Sequence, residues 1–296
     1  MRIVSLLPSA TEILFALGLG DDVFGVTHEC DWPPQARMKP VLLHSVLPAA
    51  AGPAEVDRLV SESLSDGHSL YRLDHEAVAS IEPDLVVTQD LCSVCALPAG
   101  EVEEALELLG SPANVVSLDP GSLDDVLGTI ERLGRLTGTA AAAGAVVASL
   151  RQRLAAVERA VASRPPRPTL ALEWSDPPFN AGHWVPEMIG LAGGESILAQ
   201  PRRPSVRMAW TTIAAARAEV AVFMPCGYGL EAATAEGQGL LSRPELADVV
   251  EIFAVDANSY FSRPGPRLID GVEILAAALH PGAVPPAPAG TIQRLR

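Results

Sequence analysis

The side chains with the widest chemical repertoire in this chain are its four cysteines, Cys30, Cys92, Cys95 and Cys226. Each follows a short apolar run that reads as a β-strand. Cys30 comes after Val23–Thr27, Cys92 and Cys95 after Asp84–Thr88, and Cys226 after Val220–Met224. In an open α/β sheet, ligands bind outside the carboxyl ends of the strands. Thiols from three distant segments are therefore expected to converge on one cleft. Cys92-Ser-Val-Cys95 places two sulfurs on one turn, as metal sites require, with His28 as a further candidate ligand. Four thiolates suit zinc or an iron–sulfur cluster. A Cys92–Cys95 redox pair and plain free thiols are the alternatives.

Polar pairs stand at the same strand ends. His28-Glu29 follows the second strand and Gln89-Asp90 the strand before the C-x-x-C turn. Their simplest reading is loop solvation and capping, and their company with three thiols favours ligand contact. Aromatics make up only 4% of the chain, yet Trp174, Phe179, Trp184, Tyr228 and Tyr260 fall in or beside loops of its second half. Aromatics on loops suit stacking on a large planar ligand, and Phe179 is expected to plug its own loop. Ser9 and Glu12, in Ser9-Ala-Thr-Glu12, read as a capping box, and a helix N-terminus attracts anions.

The elements that must position these groups alternate. Strands are expected at Arg2–Leu7, Val23–Thr27, Val41–Val46, Asp84–Thr88 and Asn114–Leu118. Helices are expected from Ser9 to Leu17, at Asp74–Ile81 and at Glu101–Leu109. Such alternation implies a parallel sheet with right-handed crossovers. From Ser122 to Ser163 breakers are almost absent, so one long helix is expected, with a bend at Thr137-Gly138-Thr139. A second alternating region has strands at Thr169–Glu173, Val220–Met224 and Ile252–Val255. Its helices are Val185–Leu191, Thr211–Arg217 and Pro266–Leu279. The fold class is thus α/β, two Rossmann-like lobes joined by a long connecting helix. The expected boundaries are 1–121, 122–163 and 164–280, with a mobile Pro/Ala-rich tail at 281–296. A ligand cleft is expected between the lobes.

Composition narrows the function. The 296 residues are 48% hydrophobic, so the chain is globular. A formal charge of −15 and a pI near 4.8 argue against a nucleic-acid partner. No apolar run is long enough to span a bilayer, and the opening residues carry no leader pattern, so a cytoplasmic location is expected, or a periplasmic or extracellular one if a leader has been removed. There is no nucleophile elbow, P-loop or zinc-protease motif, which favours a binding protein over an enzyme.

Four stretches carry a family resemblance. They are Leu7-Pro8-Ser9-Ala10-Thr11-Glu12, Cys30-Asp31-Trp32-Pro33-Pro34-Gln35-Ala36, Asp176-Pro177-Pro178-Phe179 with Gly193-Gly194-Glu195, and Arg263-Pro264-Gly265-Pro266-Arg267. In order and spacing, nearly to His280, the chain resembles the class III substrate-binding proteins of ABC transporters, closest to the cobalamin-binding branch. The resemblance implies cobalamin or a related corrinoid as ligand, held by aromatics that match Trp174 and Tyr260. The first-lobe aromatic positions fall instead at Glu29 and near Gln89 or Asp90. It also implies an ABC permease partner, docked through one carboxylate per lobe. Asp74 or Glu76 matches the first; Thr211 stands at the second and cannot pair with an arginine.

Overall fold

The computed structural model describes residues 1–48, 52–66, 69–90, 97–108 and 110–296. The chain folds into two units. The first is Met1–Pro120 with Leu127–Val147, and the second is Gly121–Val126 with Ala148–Arg296.

The first unit runs β1 (Ile3–Ser5), α1 (Pro8–Ala16), β2 (Val23–Thr27), β3 (Val41–Ser45), α2 (Pro53–Ser65), β4 (Tyr71–Leu73), α3 (His75–Ile81), β5 (Leu85–Thr88), α4 (Ala99–Leu108) and β6 (Asn114–Ser117). Its six-stranded sheet has the order β4-β3-β2-β1-β5-β6. All neighbours are parallel except β3 and β4. The central strands are buried on both faces, as in β5, where Leu85 to Thr88 are all buried. That is why they read as continuous apolar runs without alternation. The chain leaves β1 for β2 and β3 on one side, then returns to place β5 and β6 on the other. The order therefore reverses at the β1/β5 seam, where Ser5 sits opposite Val87 and the Leu6 N–H donates to the Val87 carbonyl at 2.8 Å.

The helix after β1 corrects the expected capping box. It starts at Pro8, with Leu7 in the cap position and no side-chain cap. Proline has no N–H to lose and a fixed φ suited to the first helical position. Ser9 is thereby drawn one residue inside the helix and buried. The α3 expectation holds: Asp74 accepts the Ala77 N–H at 3.0 Å, and Glu82 ends the helix in a left-handed conformation before Pro83.

The breaker-poor segment forms two helices, α5 (Leu123–Leu136) and α6 (Ala140–Val161). The break falls at Thr137-Gly138-Thr139. Gly138 takes φ +73°, a conformation that glycine adopts at no steric cost, and the Thr139 N–H returns to the Gly134 carbonyl. The molecule is thus two α/β lobes with the long helix α6 between them in the chain. Among the described residues no helix is long and apolar enough to cross a membrane.

The second unit runs β7 (Arg167–Ser175), β8 (Pro178–Asn180), α7 (Val185–Leu191), β9 (Gly194–Ser196), α8 (Trp210–Ala215), β10 (Val220–Phe223), α9 (Leu230–Gly237), β11 (Glu251–Val255), α10 (Ala257–Tyr260), α11 (Leu268–Leu279) and β12 (Ile292–Arg294). Its sheet order is β12-β11-β10-β7-β8, with β9 also on β7. β7, β10 and β11 are parallel neighbours. Here too the order reverses, at the β7/β10 seam. The C-terminal stretch is not a loose tail. β12 pairs antiparallel with β11, and the Arg296 guanidinium donates to the carbonyls of Leu246 and Leu241 at 2.7 and 3.1 Å. Pairing of this kind covers a strand edge that would otherwise stand open.

At the amino ends of the same strands, Arg167 of β7 bridges Glu219, just before β10, and Glu251 of β11, at 2.6 and 2.7 Å. Arg167 and Glu251 are 15% and 16% exposed, so the pair is poorly screened. It fixes the register of the three strands whose far ends carry the aromatics. Arg167→Met leaves Glu251 with Arg294 alone, at 3.1 Å. Urea unfolding is expected to show a loss of about 2 kcal/mol, the range for breaking a largely buried ion pair with one partner remaining.

Candidate functional site

In the second unit, three adjacent parallel strands each deliver an aromatic at the carboxyl end. Trp174 lies near the end of β7 and is half-buried. Tyr228 follows β10 through a turn in which Gly227 takes φ +79° and the Tyr228 N–H donates to the Pro225 carbonyl at 3.0 Å. The two rings meet edge to face, with centroids 5.7 Å apart and planes at 75°. This is a favoured geometry for an aromatic pair. The Tyr228 carbonyl accepts the Asn258 N–H, tying it to the turn after β11. That turn is capped by Asp256, which accepts the Ser259 N–H, and it ends on Tyr260. The Arg267 guanidinium stands 5.8 Å from the Tyr260 ring centroid.

Trp184 does not join them. It is buried, and its indole N–H donates to the Phe261 carbonyl at 2.8 Å, so it belongs to the interior of the lobe. Phe179 sits across the β7/β8 pair from Trp174, with Arg207 over its ring, as expected of a residue that holds its own loop.

Two carboxylates not singled out by the sequence lie in this region: Glu236, whose charge acts on Tyr228, and Glu173, the strand neighbour of Trp174. Glu173 accepts the Gly182 N–H at 3.3 Å and the Ser205 hydroxyl. Glu236 of α9 accepts the Ser175 hydroxyl at 2.6 Å. Burial, with the Glu236 charge as a second cause, raises the Tyr228 pKa above its usual value, so this phenol stays protonated. Position beside an aromatic at a strand end was the available signal for Glu173. Nothing local marks Glu236, which reaches the place from a helix about 60 residues on in the chain.

A strap over residues 197–208 crosses this end of the lobe. Asn180 accepts the Val206 N–H at 2.7 Å and donates from its amide to the Leu198 carbonyl. His183 exchanges backbone bonds with Arg202 and Arg203. His183, Leu198 and Arg202 all take positive φ, which is uncommon for side-chain-bearing residues. Burial lowers the His183 pKa below its ordinary 6.5.

In the first unit, the β1/β5 seam gathers Ser9, Gln89 and Asp90. Ser9 and Gln89 are buried, and Asp90 is exposed. Asp90 ties two segments together. Its N–H donates to Asp119 at 2.5 Å, and its carboxylate accepts the Ala99 N–H at the start of α4. The Gln89 side-chain oxygen is buried and has no hydrogen-bond partner. His28 and Glu29 are exposed beyond β2; the His28 Nδ1 lies 3.1 Å from the Leu43 carbonyl.

Two of the four cysteines, Cys30 and Cys226, fall among the described residues. Cys30 is buried, its sulfur 3.1 Å from the Thr11 hydroxyl and 3.5 Å from that of Thr27. The turn after β2 directs it inward onto α1, where it packs as a small apolar side chain. Cys226 is exposed. Cys92 and Cys95 lie outside the described residues. Among the described residues no group of three or more His, Cys, Asp or Glu could hold a metal ion.

Two measurements test these placements. With Cys92 and Cys95 replaced by serine, one thiol of the native protein reacts quickly with an aromatic disulfide reagent. Cys226→Ser removes that phase, and Cys30 titrates only after unfolding; a fast phase that survives Cys226→Ser contradicts the burial of Cys30. For His183, the folded pKa lies below the unfolded one. As pH falls through 6.5 the unfolded chain takes up the proton first, so stability is lost until the folded imidazole also protonates. His183→Asn, which tolerates the same backbone conformation, should flatten thermal stability against pH below 6.5, and an unchanged slope rules His183 out as its source.

Comparison with known proteins agrees with this architecture. The family profile described as periplasmic binding protein matches residues 3–251. A vitamin B12-binding protein of Vibrio cholerae is 26% identical over 279 residues, covering 92% of this chain and 86% of the relative. An uncharacterized ABC transporter substrate-binding lipoprotein of Bacillus subtilis, YvrC, is 26% identical over 286 residues, covering 95% and 80%. Among solved structures, the periplasmic vitamin B12-binding protein BtuF of Vibrio cholerae superposes with a TM-score of 0.68 at 22% identity, covering 94% of this chain and 96% of that one. The periplasmic heme-binding protein RhuT from Roseiflexus sp. RS-1 superposes with a TM-score of 0.70 at 25% identity, covering 95% and 98%. A profile match over most of the chain, on two lobes of this topology, shows that the chain belongs to the periplasmic binding protein family.

Proposed function

We propose that this protein is a substrate-binding protein of the ABC-transporter type whose ligand is cobalamin or a related corrinoid. The observation that carries the reading is the trio Trp174, Tyr228 and Tyr260 at the ends of three adjacent strands. Trp174 and Tyr228 flank the β7/β10 reversal, where open α/β sheets bind ligands. Edge-to-face rings at the mouth of a sheet offer a rigid apolar surface to a large flat ligand and lose little conformational entropy on binding. The named relatives include both B12-binding and heme-binding proteins, so a tetrapyrrole macrocycle is the chemistry they share. Those relatives are periplasmic or lipoprotein-type, in contrast to the cytoplasmic location expected from the opening residues. For a permease partner, Glu76 is the better first-lobe carboxylate, because Asp74 already caps α3. Thr211 is exposed on α8 and offers a hydroxyl where a carboxylate is expected.

Calorimetric titration of the full chain with cyanocobalamin tests the reading. Saturable binding is expected, and Trp174→Ala should weaken it by about 1–3 kcal/mol, as for a buried aromatic anchor. Absence of saturable binding to the wild-type protein overturns the proposal; unchanged affinity in the variant removes Trp174 from the site.

A further inference from the structure

We infer that Glu173 is a positioning residue for Trp174: it forms a β-bulge in β7, locked by the strap over residues 197–208, and that bulge aims the indole. The inference rests on the reading of Trp174 as part of the ligand-binding wall. Every residue in it belongs to the second unit.

β7 and β8 pair antiparallel, and their register slips by one residue. Leu172 stands opposite Asn180 and Trp174 opposite Phe179, so Glu173 is the extra residue on β7. A bulge of this kind bends its strand, increases the local twist and re-aims the neighbouring side chain. Its place is fixed from the other side of β7 as well, where the Glu173 carbonyl accepts the Cys226 N–H at 3.3 Å. The two side chains part at this point. The Glu173 carboxylate accepts the Gly182 N–H at 3.3 Å and the Ser205 hydroxyl, while the Trp174 ring meets Tyr228 edge to face. An extra residue in a ladder forfeits its regular pairing, and hydrogen bonds to its charged side chain offset that loss.

The strap is built to hold the carboxylate there. Asn180 clamps it with its side chain, accepting the Val206 N–H and donating to the Leu198 carbonyl. Backbone bonds from the Asn180 N–H to Val206 at 3.1 Å and from the Met208 N–H to Pro178 at 2.8 Å join the strap to β8. Arg202 pairs with Asp125 at 2.8 Å. A Cβ on Gly182 would lie 2.4 Å from the Ser205 nitrogen and 2.6 Å from the Arg203 carbonyl oxygen, so only glycine lets the strap come this close. His183, Leu198 and Arg202 hold left-handed φ, which such residues keep only where their surroundings fix them. A segment anchored at this many points presents Ser205 as a rigid donor and not as a drifting loop tip. Loss of that donor frees the bulge, and the freed bulge releases Trp174.

The test reads Trp174 directly. The full chain is labelled with fluorotryptophan, and Trp174→Phe assigns its fluorine resonance among the four tryptophans. In unliganded protein, Glu173→Ala and Ser205→Ala should shift or broaden that resonance and leave that of the buried Trp184 in place. Glu173→Gln, which keeps a side-chain oxygen as acceptor, should return it most of the way. A merely structural glutamate would lower the Tm and leave the Trp174 resonance where it was. Cyanocobalamin affinity should fall about tenfold in Glu173→Ala and Ser205→Ala, the loss typical of an aromatic contact no longer met squarely, and recover in Glu173→Gln. An unmoved Trp174 resonance in Ser205→Ala and in folded Glu173→Ala overturns the inference. A resonance that moves while cyanocobalamin binds as before supports the bulge and removes Trp174 from the ligand site. A wild type that binds no cyanocobalamin overturns the functional reading, and the fluorine spectra still decide the role of Glu173.

Discussion

Each lobe depends on one topological constraint. A parallel sheet whose chain starts in the middle must fill both sides, and the connections on the two sides leave the central strand in opposite directions. The loops therefore diverge at one seam, and their polar backbone and side chains are left without a covering helix. In the first lobe the seam lies between β1 and β5, in the second between β7 and β10. Ser9 and Gln89 stand at the first, Trp174 and Tyr228 at the second. The remaining architecture maintains this arrangement. The core strands are buried on both faces, the Arg167 bridge holds register at the opposite end, and short caps such as Asp256 aim the exit turns.

The two seams differ in chemistry. The first presents buried polar groups with a hydroxyl–thiol chain beneath. Thr11 bonds Ser5 at 2.8 Å and stands next to the Cys30 sulfur. The second presents rings with the Glu236 carboxylate acting on Tyr228. A surface that couples apolar faces with fixed acceptors is typical of pockets in which the faces supply affinity and a few polar atoms set orientation.

Much of this was legible in the sequence, for identifiable reasons. The strands that carry the seams are buried apolar runs, and runs of that kind announce themselves without context. Trp174, Tyr228 and Tyr260 were legible as aromatics because each stands at the end of such a run or beyond it. Trp184 shared the same loop-side signature, yet it is buried; no local pattern tells an indole that will find the Phe261 carbonyl from one that will face a ligand. Cys30 deceived in a similar way, because position after a strand does not fix which way a turn aims its side chain. The capping box at Ser9 lost to Pro8, a competition between two valid helix-start signals. β4, β8, β9 and β12 are three residues each, too short for any periodicity, and only tertiary pairing makes them strands.

The second lobe includes Gly121–Val126, a stretch that precedes most of α5 and all of α6 in the chain. The ties are specific. The Leu123 N–H donates to Glu187 of α7 at 2.8 Å, Asp125 pairs with Arg202 of the strap at 2.8 Å, and Asp124 pairs with Arg151 of α6 at 2.7 Å. This lobe is consequently not a cassette. A gene fragment beginning at β7 would encode its whole sheet and yet strip Glu187 and Arg202 of their partners. Recombination or expression of the half-molecule would have to carry the early stretch along, so the two halves are distinct as folded units but interleaved in heredity.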